Sequence, residues 1–277
     1  MQLESWGKNL AVKVRPLLIY FTLVFTITWG IGAVCLFAPG VLPRTFAHEP
    51  ATANPLFYIA VYVPTVTSLA LTAIFDGAAG LRKLLARLIP WRAGVHWYLI
   101  VLVGYPVFEL IAGQVAGLLG AAQGRIPNWG HFYYALIPAL AADPGPLGEE
   151  LGWRGFALPR MLERWKPLPA TLILGLIWGA WHLPAFFIVG LPQNRMAILA
   201  LVAGTVSVSV IDTWIFLRTK GNMLLMILVH LVMNHCSKML GISFVTTLAA
   251  GAVLALAIVL AGGMRVPAKT LEEPVTT

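Results

Sequence analysis

Long apolar runs constrain this chain more than any other feature of its sequence. One of them, residues 196–217, reads MAILALVAGTVSVSVIDTWIFL and contains a single charged residue. A helix rises about 1.5 Å per residue, so roughly 20 mainly apolar residues are needed to cross a bilayer. Membrane strands would instead show alternating segments of about 10 residues. The runs therefore predict membrane-spanning helices.

Eight runs meet or approach this length, and hydrophobic residues make up 59% of the chain, with a mean hydropathy of +0.82. Soluble domains are roughly 45–50% apolar. We predict an all-α membrane protein with about eight transmembrane helices. A polar, cationic stretch precedes the first run and no small-residue cleavage site follows it, which indicates an uncleaved span. The predicted spans are 17–38, 56–75, 97–122, 132–156, 170–190, 196–217, 221–240 and 243–264.

The basic residues predict the topology of these spans. If the N-terminus is cytoplasmic, 15 of the 19 Lys and Arg residues fall in cytoplasmic segments, as the positive-inside rule requires. Both termini are then cytoplasmic, and the protein is a multi-pass protein of the cell membrane. The net charge of +8 is spread over loops that flank the membrane, so it does not indicate nucleic-acid binding. The lipid bilayer is the expected surrounding, whereas the oligomeric state is left open.

The domain organisation follows from the same patterns. Residues 1–16 form a cytoplasmic N-terminal segment, 17–264 a polytopic membrane domain, and 265–277 a polar tail that is expected to be disordered. Residues 81–92 place leucines at helical spacing opposite basic residues, which predicts a short interfacial helix; an ordinary basic loop is the alternative.

Polar residues inside the spans are the candidates for function. An ionisable group in mid-membrane costs about 2.5–3.5 kcal/mol on insertion scales, so such residues are functional candidates by default. The candidates are Glu109, Asp143, Glu149, Glu150, Arg154, His182, Asp212, His230, Asn234 and His235. Asp212, close to Arg218, is expected to be a structural interfacial acid. Glu109 and Asp143 are expected either to line a cavity or to hydrogen-bond between helices.

The stretch GPLGEELGWRG, residues 145–155, places two acids side by side. In a helix, Glu150 and Arg154 are separated by four positions and can form an ion pair on one face. Glu149 lies about 100° further round, away from the arginine, and is expected to be free to accept a proton. The four glycines of the stretch form a stripe that lets another helix approach closely. The two acids are therefore expected to lie beside a helix contact.

Histidines on later spans complete a candidate site. His182 lies inside the fifth predicted span, while His230 and Asn234 share a helical face and His235 points elsewhere. Amide hydrolysis needs a base for water, a group that orients or polarises, and donors for the oxyanion. Glu149 with His182 can supply the first two, and His230 with Asn234 the donors. No H-E-x-x-H motif or activated Ser or Cys occurs, which favours glutamate-activated water.

Three motifs in this region resemble those of the CAAX prenyl protease type II family, also called the CPBP or ABI family of intramembrane proteases. EELGWR, residues 149–154, matches E-E-x-x-x-R; Trp178 to His182 is similar to F-x-x-x-H; and His230 to Asn234 matches H-x-x-x-N. The motifs occur in the family's order, and the similarity covers roughly residues 130–240. The departure is Trp178, where the family usually has phenylalanine. This change is expected to affect packing and not chemistry.

The resemblance implies a role for each matching residue. Glu149 looks like the catalytic glutamate that activates water together with His182. His230 and Asn234 look like the oxyanion-stabilising pair, and Glu150 with Arg154 look like the supporting ion pair. Eukaryotic relatives remove the last three residues of prenylated CAAX proteins, whereas prokaryotic relatives are linked to bacteriocin immunity, membrane-protein processing and scaffolding. The expected partner is therefore a membrane-associated peptide or protein, and the resemblance does not decide whether it is prenylated.

The sequence leaves two questions open: whether the protein uses a metal ion and whether it is an enzyme. The favoured reading is a metal-free endopeptidase without a cofactor; if zinc is used instead, Glu149, His182 and His230 are the expected ligands, with Glu150 a further candidate. The alternatives to an enzyme are a non-proteolytic scaffold or immunity protein and a proton-coupled transporter. Straight helices would also put Glu149 and His182 at different depths. We therefore expect Pro144 and Pro146 to kink or break the fourth span.

Overall fold

The computed structural model describes residues 2–38, 52, 54–89, 93–121 and 124–265, with side chains from residue 15 onward. The described residues form helices and no strands, which confirms the predicted all-α fold. Of the predicted tail, 265–277, all residues but Arg265 lie outside the described part of the chain. The α-helices are α1 (Gln2–Phe37), α2 (Pro55–Ala86), α3 (Val95–Leu99), α4 (Tyr105–Leu118), α5 (Trp129–Ala142), α6 (Pro144–Glu150), α7 (Leu158–Leu162), α8 (Pro167–Trp181), α9 (Ile198–Arg218), α10 (Met223–Leu240) and α11 (Phe244–Leu260).

Within the described part of the chain, five stretches are long and apolar enough to cross a membrane. They are Arg15–Phe37, Pro55–Ala86, Val95–Leu118, Ile198–Arg218 and Met223–Leu240. The third combines α3 and α4 through a π-helical segment, Ile100–Gly104. α8 and α11 are shorter apolar helices. These helices define a multi-pass membrane protein, while the count of eight spans and the cytoplasmic termini stay predictions.

The predicted span 132–156 is wrong as a single continuous helix. α5 ends at Ala142, and Asp143 takes an extended conformation with ψ of 107° before α6 begins at Pro144. A proline at the first helical position fits because its missing N–H needs no partner there, and the Asp143 side chain caps α6 by accepting from the backbone N–H of Gly145 at 3.0 Å. The expected break at this point is thus present. A π-helical segment, Leu151–Ala157, then follows α6.

The predicted span 170–190 also ends early. α8 stops at Trp181, His182 is its C-terminal cap, and a 3-10 turn with Pro184 follows. His182 therefore lies at a helix end and not in mid-helix. α6 likewise begins at an interruption of the predicted helix, and Glu149 near its end contacts Trp178, one turn before His182, at 2.7 Å. Two interruptions, at Asp143 and after Trp181, bring short helix ends together inside the bundle.

Glycines of the 145–155 stretch allow the close helix contact that their spacing predicts. A Cβ at Gly148 would lie 2.7 Å from the carbonyl oxygen of Val61, and a Cβ at Gly152 would lie 2.7 Å from the backbone of Pro64. Both neighbours belong to α2, and larger side chains would force the two segments apart. α2 and α10 both pack against α6, so the two acids lie inside the protein.

The predicted interfacial helix at 81–92 is not a separate helix. Residues 81–86 form the end of α2, beyond a kink where Gly77 has a φ of 67°, and 90–92 lie outside the described residues. Arg87 caps this end and donates to the carbonyl oxygens of Gly221 at 2.8 Å and Gly155 at 3.1 Å. Burial lowers the pKa of Arg87 to about 10, so it stays charged at neutral pH. Arg87 thus ties α2 to two other parts of the bundle.

Candidate active site

A buried charge cluster surrounds Arg154. Its guanidinium contacts Glu150 at 3.0 Å, as the four-residue spacing predicts, and also contacts Asp212 of α9 at 2.5 Å. Arg154 is 1% exposed and Glu150 is fully buried. Asp212 is 1% exposed, so the prediction of an interfacial acid near Arg218 is wrong. Arg218 donates instead to the carbonyl oxygen of Gly263 at 2.7 Å.

His230 is attached to this cluster through Glu150. Its Nδ1 lies 2.7 Å from the same Glu150 oxygen that contacts Arg154. Since a carboxylate can only accept, Nδ1 carries the hydrogen of this bond. The Nε2 atom of His230 therefore faces away from Glu150. One supporting carboxylate thus fixes both the arginine and one of the candidate oxyanion donors.

Among the side chains that the structure describes, no cation forms an ion pair with Glu149. It is 5% exposed, and its Oε2 accepts a hydrogen bond from the indole N–H of Trp178 at 2.7 Å. The expectation that tryptophan at this position affects packing alone is therefore wrong, because phenylalanine has no N–H to donate. Among the described residues no hydrogen bond joins Glu149 directly to His182. Trp178 is the residue that links them.

His182 is oriented by the backbone of its own helix. Its Nδ1 lies 2.8 Å from the carbonyl oxygen of Trp178, and a carbonyl can only accept, so Nδ1 carries the hydrogen. In the neutral imidazole, Nε2 is then the acceptor. The His182 ring is 5.7 Å from the Trp178 ring, and the His230 ring is 5.8 Å from it on another side. Both imidazoles therefore lie around one indole.

Asp143 organises the opposite side of the site. Its Oδ2 accepts from the Asn234 side-chain amide at 2.9 Å and lies 3.1 Å from Nε2 of His235. Asp143 thus makes the helix-to-helix hydrogen bond that was one of the two expectations. His235, which was expected to point elsewhere, shares this carboxylate with Asn234. The other amide hydrogen of Asn234 remains able to donate.

Gly145 brings α6 close to both candidate oxyanion donors. A Cβ at Gly145 would lie 3.2 Å from Nε2 of His230 and 3.4 Å from the side-chain nitrogen of Asn234. Contacts of this length are tight, so any side chain would press on both groups. The backbone of α6 therefore borders the space that His230 and Asn234 face.

The structure brings the sequence-predicted polar residues together, with the exception of Glu109. Glu109 lies elsewhere: it is fully buried and accepts from Tyr105 at 3.0 Å and from Thr247 of α11 at 3.1 Å. The contacts of Asp212 with Arg154 and of Trp178 with Glu149 were missed. Both contacts join residues that are far apart in the sequence. The sequence offered only two hints of them: an acid within a predicted span, and a polar aromatic residue one turn before His182.

The grouping of possible metal ligands bears on the zinc alternative. In the described part of the chain, no three His, Cys, Asp or Glu residues are grouped so that they could hold one. Nδ1 of both His182 and His230 is held by protein acceptors, an arrangement that metal-binding histidines also show, so these bonds do not separate the zinc alternative from the metal-free one. No step of the proposed mechanism is routed through a metal, and zinc stays an alternative that a chelator experiment distinguishes.

Membrane-length helices that enclose two histidines, an asparagine and buried acids define a polytopic membrane protein with a polar site inside its bundle. Residues 128–236 match the family described as "Type II CAAX prenyl endopeptidase Rce1-like". A curated relative, CAAX prenyl protease 2 of Methanococcus maripaludis, is 29% identical over 101 residues. The alignment covers 34% of this chain and only 37% of that relative. Both matches cover less than half of the chain, and they support the assignment of this segment to the CAAX prenyl protease type II (CPBP) family.

Proposed function

We propose that this protein is an intramembrane endopeptidase in which Glu149 activates water. The observation that carries the proposal is the asymmetry of the two acids: Glu150 is bound by Arg154 and His230, whereas Glu149 has a single neutral donor. A carboxylate without a cation partner is free to take up a proton, and a general base must do so. Similarity to a family of proteases supports the same chemistry.

In the proposed reaction, Glu149 takes a proton from water as the water oxygen attacks the scissile carbonyl carbon. His182 orients this water through Nε2, because its Nδ1 hydrogen is held by the Trp178 carbonyl. The resulting tetrahedral intermediate carries its negative charge on the former carbonyl oxygen. Glu149 then returns the proton to the leaving nitrogen and the C–N bond breaks, which gives a carboxylic acid and an amine. The acid's proton passes to the amine, so the released products are a carboxylate and an ammonium. Atoms and charges balance without a further reactant.

His230 and Asn234 stabilise the oxyanion. Asn234 has a second amide hydrogen beside the one bound by Asp143, and it can donate this hydrogen to the oxyanion. His230, when protonated, can donate from Nε2 while Nδ1–H stays with Glu150. Loss of one such donor typically lowers kcat by about 10²–10³-fold. Glu150 and Arg154 support this geometry without contacting the substrate.

The substrate class follows from the location of the site. A site enclosed by membrane-length helices favours a membrane-associated peptide or protein, and the relative's name, CAAX prenyl protease 2, makes a prenylated CAAX-type peptide the first substrate to test. Catalysis is proposed to be metal-free. We also propose a multi-pass location in the cell membrane with both termini cytoplasmic.

Cleavage of a farnesylated CAAX peptide by the purified protein in liposomes tests this function. Glu149→Gln and His182→Ala should abolish product formation while circular dichroism and elution volume stay unchanged. Glu109→Gln is the matched control, since Glu109 is also a buried glutamate but bonds to Tyr105 and Thr247 outside the site. Full activity of Glu149→Gln would contradict the proposal.

Two further measurements distinguish the proposed function from the alternative functions. A strong chelator should leave the rate unchanged; loss on chelation with rescue by zinc would overturn the metal-free mechanism. A scaffold or immunity protein would yield no cleavage of prenylated or other membrane-anchored peptides, and a proton-coupled transporter would show pH-coupled flux without peptide products.

A further inference from the structure

Trp178 occupies the centre of the site although it stands where the family usually has phenylalanine. The side chain is 5% exposed and lies one helical turn before His182 on α8. Its indole N–H is the hydrogen-bond donor to Glu149, at 2.7 Å. Phenylalanine would fill much of the same space but could not form this bond. The hydrogen bond from Trp178 to Glu149 therefore requires tryptophan at this position, and a difference in packing alone does not account for it.

The indole N–H of Trp178 is a neutral donor, which favours the role of Glu149 as a general base. A guanidinium or ammonium would hold the Glu149 carboxylate but would also neutralise it, as Arg154 does for Glu150. An indole N–H fixes one oxygen and leaves the negative charge on the carboxylate. Oε2 is the bound oxygen, and Oε1 has no hydrogen-bond partner among the residues that the structure describes. Oε1 is thus the oxygen available to water.

The same residue also holds the second group of the water-activating pair. The backbone carbonyl of Trp178 accepts from Nδ1 of His182 at 2.8 Å. The guanidinium of Arg154 lies 4.3 Å from the centre of the Trp178 ring, a cation–π contact that keeps the indole in place. Trp178 therefore positions both Glu149 and His182.

We propose that Trp178 is a positioning residue for the reaction: its indole N–H fixes Oε2 of Glu149 so that Oε1 receives the proton from water, while its carbonyl sets the tautomer of His182. This inference rests on the proposed function of Glu149 as the base. It predicts that the N–H, and not only the bulk of the ring, is required for turnover.

The test replaces Trp178 with β-benzothienyl-alanine, a tryptophan isostere that has sulfur in place of the N–H group. The matched control is the same replacement at Trp181, a buried tryptophan of the same helix whose indole N–H has no partner among the described residues. Loss of one hydrogen bond to a charged group should lower kcat by about 10- to 100-fold at position 178, with KM unchanged. The replacement at 181 should leave both constants at the wild-type values. Trp178→Phe should behave like the isostere.

A second measurement follows the bond without activity. In proton–nitrogen correlation spectra of the labelled protein in detergent, the Trp178 indole signal should shift in Glu149→Gln, and the Trp181 signal should not. An unmoved Trp178 signal, or an unchanged kcat in the isosteric variant, would overturn the positioning role alone. A wild-type protein that cleaves no membrane-anchored peptide would overturn the proposed function, and the role of Trp178 with it.

Discussion

Arg154→Met should be among the most destabilising single changes in this protein. The substitution removes the guanidinium that lies between two buried carboxylates, 3.0 Å from Glu150 and 2.5 Å from Asp212. It also removes the cation over the Trp178 ring at 4.3 Å. Methionine keeps much of the apolar stem, so the loss is mainly electrostatic.

The magnitude follows from what the substitution leaves behind. Breaking a buried ion pair by removing one partner costs about 3–5 kcal/mol, because the other charge stays buried without compensation. Here Asp212 loses its ion-pair partner while Glu150 keeps its contact with His230, so we expect a loss within this range. A loss of about 4 kcal/mol lowers the folding equilibrium constant by roughly 10³-fold. Adding Glu150→Gln and Asp212→Asn should recover part of the loss, since no uncompensated charge then remains.

The assay is equilibrium unfolding by sodium dodecyl sulfate in mild-detergent micelles, followed by circular dichroism. Arg160→Met is the matched control: Arg160 also pairs with an acid, Asp76, and also lies over a ring, that of Phe156, but its ion pair is partly exposed to the surroundings. Exposed pairs contribute about 0–1 kcal/mol. An Arg154→Met protein that loses no more stability than Arg160→Met would refute the reasoning.

Three further predictions concern the scaffold of the site. Gly148→Ala should destabilise by about 1–3 kcal/mol, because its Cβ would lie 2.7 Å from a carbonyl oxygen of α2, whereas Gly30→Ala, with nothing within 4 Å, should not destabilise in the same unfolding assay. Arg87→Lys should lower the thermal unfolding temperature, because one ammonium cannot reproduce the geometry of its bonds to two carbonyl groups; an unchanged temperature would contradict this. Asp143→Asn keeps a good helix cap but replaces the oxygen that holds Asn234, so initial cleavage rates should fall about tenfold with little change in stability.

Helix periodicity and residue propensities were enough to predict part of the site. Residues four positions apart on a helix face each other, so the Glu150–Arg154 pair follows from the sequence and is present at 3.0 Å. The glycine spacing likewise predicted a close helix neighbour, which is α2. The proline pair at 144 and 146 predicted a break in the chain, and α5 ends just before it.

Other features could not be read from local rules. α8 ends at Trp181, earlier than its apolar run suggests, and a 3-10 turn that contains Pro184 follows His182. The Asp212–Arg154 pair joins distant helices, and the interfacial position predicted for Asp212 came from its nearness in sequence to Arg218. Sequence distance alone could not show which arginine the acid meets.

The sequence by itself determined the class of this protein. Long apolar runs require membrane helices, polar residues within them are costly and mark candidate functional groups, and three motifs in order resemble those of a protease family. Only the tertiary structure decided how the acids differ. The partners of Glu149 and Asn234 are 29 and 91 residues away in the chain, so no local pattern reveals that an indole holds one and an aspartate the other. These contacts depend on how the helices pack, which is set by the sum of many side-chain contacts across the bundle.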